Sequence, residues 1–411
     1  MAGVVILGAG HAGTQAAASL REAGFTGPVT LVSDEADLPY HKPPLSKSFM
    51  KQADAPLQPL RGAATYAQKD ITLRLGVAVT AIDRPARCLH FADGSRLNYD
   101  RLILATGTAA RRLTAPGADL GGVFYLRSAQ DARAMRAALP DAGRVVVIGG
   151  GFIGLEAAAM LAARGIAVTV IEMATQVLGR AVSGAVASAV AADLVANGVT
   201  LRCGAGIDHL SGAGQVGAVH LTDGTRLPAD IVVVGIGAMP EVALAQAAGL
   251  ACDNGVVTDA TLATSDPAIF AIGDCAAYPQ AQLGRMARLE SVQNATDQAR
   301  ALAQTLTGNP VVYDALPWFW SDIGALKLQI AGLSHDADDA IVVHRADGSL
   351  QSVWRLAQGR LVAVETLDSP GEHMLARRLI AEGLTPARDV MASGDMAALK
   401  AAYASARALP A

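Results

Sequence analysis

Cysteine is scarce. Four residues of 411, Cys88, Cys203, Cys252 and Cys275, stand far apart, with no C-x-x-C and no Cys/His metal spacing. Neither a disulfide framework nor a zinc centre is signalled, and the four read as small buried or half-buried residues. The net charge of −4 comes without a long basic run, so nucleic acid is not an expected partner. Long apolar runs are missing too. Although 52% of the residues are hydrophobic, these are Ala, Val, Leu and Ile in short runs, none reaching the ~18 that span a membrane. The positive mean hydropathy therefore reflects alanine, not lipid. Met-Ala-Gly-Val leads directly into a predicted strand and leaves no room for a cleavable leader, so the cytoplasm is the expected compartment.

Glycine, by contrast, is plentiful, and two clusters of it are placed alike. Residues 4–18 read VVILGAGHAGTQAAA and residues 145–158 read VVVIGGGFIGLEAA. Each is an apolar strand feeding a G-x-G-x-x-G turn that opens an alanine-rich helix, followed by a second strand, VTLVSD at 29–34 and VTVIEM at 168–173. This is an internal repeat of a βαβ unit in a chain long enough for two or three domains. Between strand and helix, Gly8, Gly10 and Gly13, like Gly149, Gly151 and Gly154, permit a tight turn, close approach of a pyrophosphate, and packing of helix on strand. The helix amino terminus offers the phosphates unpaired N–H groups and a positive dipole. An acid at the end of the second strand would bond the adenosine ribose; Glu172 meets this requirement, and Asp34 with Glu35 does so in the first repeat. Glu172 would repel a 2′-phosphate, and Met173 and Ala174 supply no arginine to receive one, which favours NADH over NADPH.

Other segments repeat this grammar. RLILATGTAARRL at 101–113, IVVVGIGAMPE at 231–241 and IFAIGDCA at 269–276 are strands that run into glycine, the last with Asp274 after Gly273. LPYHKPPLSKSF at 38–49 is too rich in proline for regular helix or strand and is expected to be a shaped loop. From about 321 the style shifts to alternating strands such as IVVHR and SVWRL, then an Ala/Arg-rich helical tail, so a third, α+β domain is expected. The region HKPPLSKSFM carries no cysteine, neither the C-x-x-x-x-C pair of a disulfide reductase nor the single thiol of an NADH oxidase or peroxidase.

The series GAGHAG, YHKPPLSK, LATG, GGGFIGLE, FAIGDCA, ESVQNA and PWFWSD, in order over essentially the whole chain, resembles the FAD-dependent, NADH-linked ferredoxin reductases of bacterial monooxygenase and ring-hydroxylating dioxygenase systems. The resemblance implies an α/β fold of glutathione-reductase-like architecture, with two Rossmann-like dinucleotide-binding domains and an α+β carboxyl-terminal domain. FAD would take residues 1–112 and 242–320, NADH residues 113–241, and the last domain residues 321–411. It also implies hydride transfer from NADH to FAD and one-electron transfer to a [2Fe–2S] ferredoxin serving a cytochrome monooxygenase or a dioxygenase, with no membrane partner and a monomer or weak dimer as the working form.

Residue by residue, the resemblance gives Ala12 and Asp34 the FAD phosphates and ribose, Val79 a backbone contact to adenine, Arg127 the pyrophosphate, and Asp274 the ribityl hydroxyls. Val292 would set its backbone against the pyrimidine edge of the flavin. Lys47, last of PPLSK, would donate to the N5 edge and offset charge as the ring is reduced, the alternative being a solvated lysine. Glu156 would border the nicotinamide or else help its helix amino terminus; Glu290 would reach the nicotinamide or act as a helix N-terminal acid. Trp318 and Trp320 share one face of an extended segment, with Trp320 either at the flavin or in a core. Arg285, Arg288 and Lys327 are candidate docking cations or scattered surface charge. Rival readings are a rubredoxin or nitrite reductase component and an NADH-responsive interaction protein resembling apoptosis-inducing factor, which would be expected to carry a long insertion and a leader.

Overall fold

A computed structural model describes residues 3–52 and 54–408; Met1 and Ala2 of the opening Met-Ala-Gly-Val and the last three residues of the chain lie outside them. The chain forms two compact units, each assembled from separated stretches. The first comprises Met1–Lys42, Pro56–Ala109 and Ala238–Ala315, the second Pro43–Ala55, Ala110–Gly237 and Leu316–Ala411.

In the first unit the strand Gly3–Leu7, buried at all five residues, turns into the helix His11–Glu22 and returns beside itself as the parallel strand Val29–Val32. A run buried at every residue suits the interior of a parallel sheet covered on both faces. Seven strands form that sheet. Ile71–Arg74, Val29–Val32, Gly3–Leu7, Arg96–Leu104 and Ile269–Ala271 run parallel, and Cys88–Phe91 with Val79–Asp83 extend it as an antiparallel ribbon. The helix Val292–Leu306 shares a core with His11–Glu22 through Ala16, Ala17, Ala295, Ala299 and Ala303, small side chains that let two helix backbones approach closely.

The second unit repeats the plan. Val199–Cys203, Ala167–Glu172, Arg144–Ile148, Ile231–Val234 and Val123–Tyr125 form a five-stranded parallel sheet, in that order. A three-stranded antiparallel sheet of Ile207–Ser211, Ala218–Leu221 and Arg226–Pro228 accompanies it. The remainder of the unit is a five-stranded antiparallel sheet, Trp318–Ile323, Leu326–Gly332, Arg360–Leu367, Leu350–Ala357 and Asp339–His344, followed by the helices Pro370–Ala381, Arg388–Ser393 and Met396–Ala408. Leu375, Ala376 and Leu379 of the first of these helices pack on Trp354, Val364 and Ile341 of the sheet.

The proline-rich segment departs from expectation. Pro43–Ser46 is a 3₁₀ turn and Ser48–Lys51 a one-turn helix. Proline is tolerated where a helical turn begins, because the N–H it lacks would have no intrahelical acceptor there. Arginines of the second unit hold this segment: Arg136 donates to the carbonyls of Phe49 at 3.3 Å and Ala55 at 2.8 Å and stacks 3.9 Å over the Phe49 ring, while Arg164 donates to the carbonyl of Met50 at 2.5 Å.

Candidate functional site: two glycine cradles and a lysine–glutamate pair

Each glycine turn is dictated by sterics at two of its three positions. Gly8 sits at φ +109°, and a Cβ there would lie 2.1 Å from the carbonyl oxygen of Ala105; at Gly13 it would lie 1.9 Å from the oxygen of Gly8. In the second turn Gly149 sits at φ +107°, with a Cβ 2.3 Å from the oxygen of Gly235, and Gly154 would meet the oxygen of Gly149 at 2.2 Å. The middle glycines differ. A Cβ on Gly10 would meet nothing within 4 Å, and on Gly151 only the Gly235 oxygen at 4.0 Å. Packing does not require glycine there, and the open space beside each is what close approach of a ligand would use. Gly10 and Gly151 also cap the helices His11–Glu22 and Phe152–Ala162 with no side-chain hydrogen bond and no acid in the first turn, which leaves both helix ends suited to a phosphate. The residues present fit two dinucleotides.

The acids diverge. Glu172 closes its strand with Oε2 accepting the Gly150 N–H at 2.7 Å and Oε1 the Ala174 N–H at 2.8 Å. Each oxygen keeps a further lone pair for a ribose hydroxyl. Across the ladder stands Cys203, its thiol pushed up by burial and then by the charge of Glu172. In the first unit Asp34 is exposed, whereas Glu35 accepts from the Tyr40 hydroxyl at 2.5 Å and from Lys42 at 2.9 Å. Glu35 is thus committed to its own loop, and only Asp34 is left facing solvent. His11, the first residue of the glycine helix, meets His41 of the same loop, ring nitrogens 3.3 Å apart.

Ala12 presses on the turn Gly273–Cys275, where a Cβ on Gly273 would lie 2.8 Å from its methyl carbon. The Gly273 N–H donates to Oε1 of the fully buried Gln298 at 2.7 Å, and the Asp274 carbonyl accepts from Arg288 at 3.0 Å. Arg288 also pairs with Glu290 at 2.6 Å. Of the two alternatives for Glu290, the helix N-terminal acid does not describe it, since Ser291 caps the helix Val292–Leu306 by accepting the Asn294 N–H and no acid lies in the first turn. Arg288 is likewise no free surface cation. Val292 opens that helix, and Val79 starts the outer strand of the antiparallel ribbon.

In the second unit Arg127 precedes the helix Ala129–Ala138, which Ser128 and Asp131 close with a capping box. Trp318 and Trp320 do share a face, ring centroids 5.4 Å apart. Arg377 lies 4.3 Å over Trp318, and the buried His373 meets its edge at 5.7 Å. Lys47 and Glu156, expected to serve separate parts of a site, are an ion pair at 2.9 Å. Glu156, 8% exposed, also accepts from the Ser46 hydroxyl at 2.8 Å and from the Ser321 hydroxyl at 2.6 Å, and Asp322 lies 3.6 Å from the ammonium. An acid so placed is held by side-chain donors, which offsets the cost of burying it. Ser46, Ser321 and Asp322 were not singled out from sequence, although they adjoin Lys47 and Trp320 within PPLSK and PWFWSD. Among the described residues the four cysteines are free, and no cluster of metal-ligating side chains occurs.

The chain belongs to the pyridine nucleotide-disulphide oxidoreductase family, whose model matches residues 2–299, and a reductase C-terminal model matches residues 318–402. It is similar to rhodocoxin reductase of Rhodococcus erythropolis, 43% identical over 380 residues, covering 92% of this chain and 89% of that one. It is similar to a rubredoxin–NAD(+) reductase of Pseudomonas putida, 41% identical over 369 residues, covering 89% and 96%. Among solved structures, a covalent putidaredoxin reductase–putidaredoxin complex matches with a TM-score of 0.93 at 38% identity, covering 99% of each chain. Members of this family use FAD and NAD(H).

Proposed function

We propose that the chain is an FAD-containing, NADH-dependent reductase whose acceptor is a [2Fe–2S] ferredoxin serving a cytochrome monooxygenase or ring-hydroxylating dioxygenase. The observation that carries this is the pair of glycine cradles with the same steric pattern, combined with a proline segment that has lysine and no thiol. Two dinucleotides imply electron traffic between them, and the absence of cysteine from the proline segment leaves no dithiol relay there, so a diffusible carrier is the exit proposed. When bound, FAD accepts a hydride from NADH and returns the two electrons one at a time.

The residues have distinct work. Gly8, Gly10, Ala12 and Gly13 hold the FAD pyrophosphate at a helix end, Asp34 takes its ribose, Gly273 and Asp274 its ribityl chain, with Val79, Arg127 and Val292 as further contacts. Gly149, Gly151 and Gly154 serve NADH in the same way, and Glu172, fixed by two backbone N–H groups, presents its remaining lone pairs to the ribose. Lys47, oriented by Glu156, offsets the negative charge that reduction brings. Trp320 shields the flavin or lines the route to the partner. FAD is assigned to residues 1–112 and 242–320, NADH to 113–241. No helix among the described residues is long and apolar enough to cross a membrane; the cytoplasm is the compartment proposed for the reaction.

The test is reduction of a panel of acceptors by the purified holoenzyme with NADH. A [2Fe–2S] ferredoxin should be reduced at least tenfold faster than a rubredoxin. Preference for the rubredoxin would replace the acceptor and leave the flavin half-reaction intact, whereas protein that never binds flavin would remove the reading altogether.

A further inference from the structure

We propose that Ser321 and Asp322, neighbours on the strand Trp318–Ile323, are positioning residues for the Lys47 ammonium: Ser321 fixes the carboxylate that binds it, and Asp322 draws it back with a second carboxylate. This rests on the reading of Lys47 as the group that acts on the flavin. Phe319, Ser321 and Ile323 share one face of the strand, by its two-residue period. Phe319 packs on Phe152 of the second glycine helix, ring centroids 4.6 Å apart, and Ile323 is fully buried. In this apolar row a serine contributes little packing. Ser321 is itself fully buried and donates to Glu156 Oε1 at 2.6 Å, the same oxygen that holds Lys47 at 2.9 Å.

Asp322, on the opposite face, reaches the other member of the pair. Its Oδ2 lies 3.6 Å from Lys47 Nζ, and the exposed Lys327 stands opposite it in the ladder. One ammonium therefore sits between two carboxylates, the nearer fixed by Ser46 and Ser321, the farther 45% exposed and opposite Lys327 in the ladder. The arrangement withholds part of the lysine's charge from the flavin. Freed of Asp322, the ammonium would stabilise the reduced ring more.

The experiment is dye-linked reduction of the holoenzyme, which reads the flavin potential and not turnover, together with FAD content. Asp322→Asn, a change at a half-exposed position, should shift the equilibrium toward reduced flavin by about tenfold, about 30 mV for a two-electron couple. Asp322→Glu should restore the wild-type value. In a Lys47→Ala background, Asp322→Asn should have no effect, because it acts through the ammonium. Ser321→Ala should slow flavin reduction at saturating NADH about tenfold with FAD retained, and Ser321→Thr should recover it. A silent Asp322→Asn, or one equally effective without Lys47, overturns this proposal while leaving Lys47 in place. A silent Lys47→Ala overturns the reading of Lys47 beneath it.

Discussion

The two glycine turns rest on the same sterics, yet the acids that follow them are held in opposite ways. Glu172 is bound to the backbone of its own turn, whereas Asp34 is exposed and its neighbour Glu35 is diverted to Tyr40 and Lys42. An acceptor fixed in advance spares the ordering cost at each binding event. That suits a cofactor exchanged at every turnover, and an acid ordered once suits a resident one. The second unit also keeps its interior charges tied, with Glu156 held by Lys47 and two serines and Glu365 by both the N–H and hydroxyl of Ser183.

The sharpest way to separate the turns is to put a methyl group into each. Gly8→Ala should give protein with almost no flavin, since both φ and the Ala105 carbonyl forbid the side chain. Gly149→Ala should keep its flavin and raise the KM for NADH at least a hundredfold, about 2.7 kcal/mol. Absorbance spectra and steady-state kinetics read both, and equal flavin loss would erase the assignment of FAD to the first turn.

A second contrast is acid sensitivity. Burial, reinforced by Arg377, lowers the pKa of His373 from 6.5 to about 4. The unfolded chain then binds the extra proton first, so this contribution is complete above about pH 6.5 and is lost as the pH falls toward 4, by up to about 3 kcal/mol. Trp318, Trp320 and Trp354 all lie in the second unit, so tryptophan fluorescence during acid titration reads that unit alone. His373→Phe should flatten the loss; an unchanged profile would assign it to other groups.

Smaller effects test the acids. NADH should be preferred over NADPH by about tenfold in kcat/KM, about 1.4 kcal/mol, and Glu172→Ala should narrow that gap. Asp34→Asn should weaken FAD binding about threefold more than Glu35→Gln, measured on stripped protein by flavin fluorescence. Equal losses would mean that Glu35 leaves its loop to share the ribose.

What could be read from sequence follows the range of the forces involved. The glycine turns were legible because their sterics lie within a few residues and one neighbouring strand. The α+β ending was legible because alternation in IVVHR marks a strand with one buried face, and SVWRL is rich in strand-forming residues. The partners of Glu156 were not, because Ser46 lies 110 residues away and Ser321 lies 165 away, and nothing local marks either hydroxyl. The setting of Lys47 was not legible: Arg136 and Arg164 gather its segment into the second unit, although it interrupts the first in sequence. The helix-end alternative for Glu290 fails because a side-chain partner two residues away, Arg288, takes its carboxylate.

The central claim is that two electrons enter together and leave singly. It is tested most directly by anaerobic titration of the holoenzyme with limiting NADH and excess [2Fe–2S] ferredoxin, counting reduced clusters. Two ferredoxins should be reduced for each NADH oxidised. Flavin that is reduced by NADH and then holds its electrons in the presence of every ferredoxin tried would contradict it.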